Sequence, residues 1–331
     1  MADSVIGNYT VAWICALHEE YEAAYRMLDV VFDPLPRQLL KRINADDNNT
    51  YDCGRINGHY VVIGYLPSGR YGVNAAAAVA KDMVRTFPNI RFGLMVGIGG
   101  GAPTQQKDVR LGDVVVSQPE GNFGGVVQID IERWIQRGGG DRQPLQVTRH
   151  LNSPPAHLLG VTSQLLQFHQ DPRRPDKLAE NIRLMNDVPS FRRPPQDQLY
   201  RAGYLHQSAD KGCQNCQRDQ TVQRPRRAGN REVMIHHGTI ASSDTLMKDA
   251  FERDRCAREL GVLCFEMEAA GLMNNLPCLV VRGICDYSDS HKNDDWHNYA
   301  ALTAAAYARE LLYNVKPAVV QGMPSWTSAF R

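Results

Sequence analysis

The sequence lacks the features of a membrane protein, a secreted protein or a nucleic-acid binder. No uninterrupted apolar stretch reaches the roughly 18 residues of a membrane span. The first residues show no basic segment leading into an apolar one, and Trp13 is soon followed by His18, Glu19 and Glu20. Net charge is nearly absent: 37 Lys and Arg against 36 Asp and Glu leave +1 over 331 residues, giving no global attraction to nucleic acid or membrane. The cysteines lack a disulfide-framework spacing. Cys15, Cys53, Cys256, Cys264, Cys278 and Cys285 sit in or beside apolar runs and read as small buried hydrophobes of a reducing compartment, so a cytoplasmic location is expected. There is no GxGxxG opening a helix, no GxxxxGK[ST] loop, no HExxH and no internal repeat.

What is present is alternation of strand-like and helix-like segments. Residues 9–17, 51–56, 59–66, 92–98, 112–117 and 239–244 read as strands, with Asn57-Gly58 turning a hairpin between the second and third. Residues 21–28, 73–84, 245–259 and 294–315 read as helices. With 43% hydrophobic residues the chain can fill a large core, and the pattern predicts one α/β domain over 1–331. It is interrupted by a loop-rich insertion at about 132–231, where 17 Lys and Arg face 9 Asp and Glu. Helices are expected there at 156–170 and 176–185. The insertion's charge reads equally as a solvated basic face or as an anion-binding one. Its Cys213-Gln214-Asn215-Cys216 supplies two of the four ligands zinc takes, which His206, His236 or His237 could complete. Packed thiols are the preferred reading, and no metal is expected.

The chemistry concentrates where two short apolar runs end in acid. Residues 262–265 lead into Glu266-Met267-Glu268, and residues 278–284 lead to Asp286. In open α/β sheets ligands bind beyond the carboxyl ends of strands. Two acids flanking a methionine can grip a vicinal diol while the thioether covers the apolar face of a sugar. An acid on the neighbouring strand, its pKa raised by desolvation, could protonate a leaving group. Together they suit a ribosyl group whose departing base must take up a proton. Residues 97–103 read as a Gly-rich turn after a strand, either a ligand loop or a tight structural turn. Glu19 and Glu20 close the first strand, where either alone reads as a dipole-matching helix-start acid.

Taken in order, ALHEEYEA, SGRYGVNAAAA, VGIGGGAP, RLGDVVVS, GTIASSDTLMKD, FEMEAAG and VVRGICDYSDSHK resemble the purine nucleoside phosphorylase and uridine phosphorylase superfamily. They look most like its methylthioadenosine/S-adenosylhomocysteine nucleosidase branch. The resemblance covers about 9–128 and 233–315. The phrasing around CFEMEAAGLMNNLPCLVVRGICDYSDSHK is similar to the nucleoside-phosphorylase-like effector domain common in fungal NACHT and NB-ARC receptors. That resemblance implies a three-layer phosphorylase/hydrolase-like fold with a central mixed sheet flanked by helices. It implies Glu268 on the ribose hydroxyls with Met267 packed on the sugar and Glu266 alongside. Asp286 would be the acid that protonates the purine, and Glu20 the carboxylate that positions water, with Glu19 the register alternative. Gly99 and Gly100 would line the base and ribose, and Asp244, Leu246 and Met247 would lie near the base. Leu246 stands where bacterial nucleosidases stack an aromatic. Arg70 and Arg110 are the arginines available for a phosphate. The implied activity is hydrolysis of the N-glycosidic bond of adenine nucleosides or nucleotides (adenosine, AMP, ADP or ATP) without a cofactor, by a homo-oligomer. A phosphate-dependent phosphorylase and a non-catalytic nucleotide-sensing module are the alternatives that stay open.

Overall fold

In a computed structural model, residues 5–129, 147–207, 212–227, 229 and 231–326 are described. Of the expected insertion, 132–146, 208–211, 228 and 230 lie outside the described residues.

The strands are β1 (Val11–Cys15), β2 (Val30–Val31), β3 (Tyr51–Ile56), β4 (His59–Tyr65), β5 (Phe92–Gly101), β6 (Val114–Ser117), β7 (Val126–Ile129), β8 (Val147–Arg149), β9 (Ile235–Ser242), β10 (Val262–Glu266) and β11 (Cys278–Asp286). They form one mixed sheet in the order β2-β3-β4-β1-β5-β11-β6-β9-β7-β8, with β10 bridging β5 and β9. The helices are α1 (His18–Arg26), α2 (Arg37–Ile43), α3 (Val73–Thr86), α4 (Ala156–Gln170), α5 (Lys177–Ile182), α6 (Ala250–Leu260), α7 (His297–Asn314) and α8 (Pro317–Gly322).

The middle of the sheet is made of strands apolar on both faces, the pattern of strands covered on each side. β1 runs parallel to β4 and to β5, and all five of its residues are buried. Its side chains alternate between two cores. Val11, Trp13 and Cys15 join α1 and α7 on one face, while Ala12 and Ile14 join Val79, Ala80 and Met83 of α3 on the other. This is the three-layer arrangement expected. The long α7 lies along β11 and β5 with Ala300, Ala304, Ala305 and Ala308 buried against them. The hairpin between β3 and β4 is closed by Asn57 (φ 46°) and Gly58 (φ 83°), the paired positive dihedrals of a two-residue turn.

Several boundaries differ from the sequence reading. His18, Glu19 and Glu20 do not merely end the strand. They are the first turn of α1, where acids complement the helix dipole. The glycines read as a turn remain in β5, and Gly99, Gly100 and Gly101 pair with β11 or β10. The helix expected at 245–259 starts only at Ala250, because Asp249 caps it by accepting from the backbone N–H of Phe251 (2.8 Å) and Glu252 (3.2 Å). Residues 243–248 are thereby left as a loop. In the insertion, α4 lies at the expected residues, and α5 continues as a 3-10 turn, Arg183–Met185. No described helix is long and apolar enough to cross a membrane.

Candidate active site

The carboxyl ends of β1, β5, β9, β10 and β11 converge on a cavity of about 350 Å³. Leu17 and Glu20 line it from beyond β1, Ile98 to Gly100 from β5, and Thr245, Leu246 and Met247 from the loop after β9. Met267 and Glu268 line it from beyond β10, and Asp286, Ser288 and Lys292 from the end of β11 onward.

Glu20 is 3% exposed and held by three backbone donors. Oε2 accepts from the N–H of Ala16 (2.6 Å) and Leu17 (3.0 Å), and Oε1 accepts from that of Ile98 (2.8 Å). Burial pushes this carboxyl above its ordinary range, with the Arg282 charge and the three N–H groups opposing. A side chain at Gly97 would meet the Glu20 carboxylate, so the glycine is what lets β5 approach it.

The organising residue of the acid cluster is Arg282, fully buried in the middle of β11. Its Nη2 donates to Glu266 Oε2 at 2.5 Å and reaches Glu268 Oε2 at 3.5 Å, while Nη1 donates to the Ile98 carbonyl at 3.3 Å. Glu266 is the structural partner. Besides neutralising Arg282, its Oε2 accepts from the N–H of Glu268 (3.0 Å) and Ala269 (2.9 Å), setting the turn after β10. Glu268 stays in the cavity wall. Burial pushes its carboxyl up to about 7, with Arg282 opposing and Glu266 and Glu20 adding to the rise.

Asp286 is aimed by a break in the β5–β11 ladder. Ile284 pairs with Gly99 and Asp286 with Gly100, leaving Cys285 as the extra residue. Oδ1 accepts from the Ser288 N–H at 2.7 Å, with Ser288 held in the left-handed region (φ 52°). Oδ2 accepts from Cys285 Sγ at 3.1 Å and from the ammonium of Lys292. The expectation that desolvation raises this acid is overturned. Burial does push it up, but Lys292 and the Ser288 N–H outweigh burial and hold it below the ordinary carboxylate range.

The other sequence candidates separate. Glu19 does not line the cavity: its Oε1 meets His297 Nδ1 at 3.3 Å, a contact that holds its carboxyl low. Asp244 accepts from the Val73 N–H at 3.2 Å at the start of α3. Met247 is buried in the cavity wall, while Leu246 is 47% exposed at its mouth. Arg70 is exposed in the turn after β4, and Tyr71 rather than Arg70 lines the cavity. Arg110 lies elsewhere, donating to Asp108 through Nε (2.8 Å) and Nη2 (2.5 Å). The phosphate role considered for Arg70 and Arg110 is therefore not supported by their placement.

A larger basic cavity, about 730 Å³, is lined by Arg110, Arg193, Arg224, Arg227 and Arg231 and shares no lining residue with the first. Much of its charge is already matched. Arg224 donates to Asp197 (2.8 Å), Arg227 pairs with Asp113, and Arg231 lies 3.2 Å from Asp176. Of the histidines considered beside the CxxC, His236 contacts Asp113 (2.9 Å) and His237 contacts Gln118 (2.7 Å). Only His206 comes beside the two thiols. Cys285, Asp286 and His297 also bring ligand atoms within 4.8 Å of one another, but the Lys292 ammonium on Asp286 would repel a metal ion there.

Two functional residues escaped the sequence reading. Arg282 is a charge inside a nine-residue buried strand, and a lone charge in such a run requires a buried partner. That signal pointed back to Glu266 and Glu268. Lys292 had none, because its pairing depends on how the chain folds back after β11.

No family model matches the chain. A nucleotide-binding leucine-rich repeat (NLR)-like protein of Hyaloscypha variabilis is 42% identical over 312 residues, 94% of this chain but 30% of that protein. The ATP nucleosidase Cap17 of Escherichia coli is 34% identical over 87 residues, 24% of this chain and 17% of that protein. The chain thus spans less than a third of the length of these curated relatives. Among solved structures, 5'-methylthioadenosine/S-adenosylhomocysteine nucleosidase of Helicobacter pylori shares the fold with a TM-score of 0.56 at 15% identity, over 93% of this chain and 100% of that one.

Proposed function

We propose that the chain belongs to the purine nucleoside phosphorylase and uridine phosphorylase superfamily, on the side of the methylthioadenosine/S-adenosylhomocysteine nucleosidases whose fold it shares, and that it is a purine N-ribosyl hydrolase. The observation that carries the reading is the shared cavity of Glu20, Glu268 and Asp286, with Glu20 fixed by three N–H groups. Glu268 holds the ribose hydroxyls while Met267 packs on the sugar. Glu20 orients a water against the anomeric carbon and accepts its proton, a task suited by a carboxyl made more basic by burial. The C–N bond breaks with its electron pair passing to the base. Asp286 protonates the base, and Lys292 supplies the proton through Asp286 Oδ2 as the leaving base becomes the stronger acceptor. The water oxygen ends on the sugar, giving free base and ribose.

Hydrolysis is favoured over phosphorolysis by charge. The cavity wall carries Glu20, Glu266, Glu268, Asp286 and Asp294 against Lys292, with Arg282 behind it pairing Glu266. Such a wall stabilises a cationic oxocarbenium-like transition state and repels a phosphate nucleophile. Adenine nucleosides are the proposed substrates, and the resemblance to an ATP nucleosidase extends the panel to AMP, ADP and ATP. Release of free base, followed by chromatography over that panel with and without phosphate, tests the reading. Ribose 1-phosphate formed only when phosphate is present would overturn it.

The remaining readings are of the same kind. We take 1–331 as a single domain, supported by one sheet that draws strands from both sides of the insertion. Cytoplasmic location and homo-oligomerisation are proposed from the resemblance in sequence, and service as an effector domain of an NLR-type receptor from the NLR-like relative.

A further inference from the structure

We propose that His206, Cys213 and Cys216 hold a structural zinc ion, with His291 as the fourth ligand. One ligand atom from each of the first three lies within 4.8 Å of the other two. That is close to the span of a tetrahedral site with Zn–S near 2.3 Å and Zn–N near 2.0 Å. The local backbone explains the assembly. Cys213–Asn215 is a single 3-10 turn in which the Cys216 N–H donates to the Cys213 carbonyl at 3.2 Å, placing both thiols on one side. His206 is brought over them by its own N–H, which donates to Ser290 Oγ at 3.0 Å.

His291 is the second, independent observation. Its side chain is buried at 7% exposure, and neither ring nitrogen has a hydrogen-bond partner. Asp289 Oδ1 approaches Nδ1 only to 3.5 Å. A buried imidazole without a partner is costly unless a ligand completes it. The ring stacks on Tyr200 at 4.0 Å between centroids and stands edge-on to His206 at 5.5 Å. Cys213 Sγ lies 3.7 Å from the His291 carbonyl, and both residues line one cavity. The ring lies outside the three-ligand cluster and must turn toward the thiols to complete a closed Cys2His2 set. Two thiolates with two imidazoles suit zinc, which has no redox chemistry in a reducing compartment. Binding displaces the two thiol protons to solvent.

The location gives the ion a structural task that bears on the reaction proposed above. It ties the CxxC turn to the segment 288–293 that carries Lys292 onto Asp286.

The test uses the full chain purified without chelator. Elemental analysis should find about one zinc per chain, and cobalt exchanged for zinc should give thiolate-to-cobalt charge-transfer and tetrahedral d–d bands. Cys216→Ser and His206→Ala should abolish both, whereas Cys256→Ser, remote and buried, should keep them. His291→Ala should lose the tetrahedral spectrum while retaining the charge-transfer band. Zinc-free protein that gives no cobalt bands overturns the proposal, as does a Cys213–Cys216 disulfide in protein from a reducing cytoplasm. Because metal and spectra are read on the wild type, the result stands whether or not a variant folds and whatever the substrate proves to be.

Discussion

Replacing Arg282 by methionine should be the most damaging single change in the sheet, and damaging in a pH-dependent way. The methionine fits the strand, but Glu266, Glu268 and Glu20 lose the one cation that offsets their burial. Removing one partner of a buried ion pair costs about 3–5 kcal/mol, a large part of the roughly 5–15 kcal/mol that holds a domain together. The pH sign follows from Glu268. Its folded pKa, about 7, already lies above the unfolded reference of 4.5. A carboxyl raised on folding destabilises most above its folded pKa and is relieved as pH falls toward the unfolded one. For wild type that penalty is present at pH 8 and fades as Glu268 takes up its proton at lower pH. Without Arg282 the folded pKa of Glu268 rises further. The gap between wild type and Arg282→Met, measured by urea unfolding, should be widest near pH 8 and shrink toward pH 5. Adding Glu266→Gln to Arg282→Met should recover part of the loss, since the two residues share one interaction. A variant as stable as wild type at pH 8, or a gap that ignores pH, would refute the electrostatic account of the cluster.

Asp286→Asn should lower kcat about 10²–10⁴-fold in protein that still folds, with a lower unfolding midpoint because Lys292 loses its partner, and wild-type base release would remove Asp286 from the mechanism. Glu20→Gln should lose hydrolysis to a similar extent, and retained phosphate-dependent turnover would mark a phosphorylase instead. In Lys292→Met, burial becomes the dominant influence on Asp286 and its pKa moves up. Activity should fall near neutrality and recover toward mildly acidic pH, where solvent protonates the carboxyl, so an unaltered pH profile would exclude Lys292 as proton source. Gly100→Ala places a methyl 2.6 Å from Asp286 Oδ1 and should reduce kcat more than stability, judged by base release beside thermal unfolding.

Much of this is legible in the sequence. The strands in the middle of the sheet announce themselves because burial on both faces leaves runs such as VAWIC and LVV without polar residues. Asn57-Gly58 fixes the hairpin by backbone geometry alone. The acids at the ends of β10 and β11 stood out because strand ends in such sheets face ligands. What the sequence hid was pairing at a distance. That Glu20 rather than Glu19 enters the cavity depends on the helix phase after Leu17. The depressed pKa of Asp286 depends on Lys292, six residues on around a left-handed Ser288. The glycines of β5 look like a turn in one dimension, because what demands them is the approach of Glu20 from α1, Phe265 from β10 and Asp286 from β11.

The position of β11 has a consequence for how the protein comes into being. It is among the last strands of the chain, yet it lies in the interior of the sheet between β5 and β6. During synthesis, β1, β4 and β5 can pair early with partners close in sequence, while β6 and β9 must wait beside an open slot. Closing that slot brings together residues almost 200 positions apart, as the pairing of Leu94 with Leu279 requires. Asp286 and Arg282 arrive with the same strand. A chain stopped short of β11 therefore has neither a closed sheet nor the acid for the leaving base. Under the proposed mechanism, a nascent or truncated chain without β11 should be inactive.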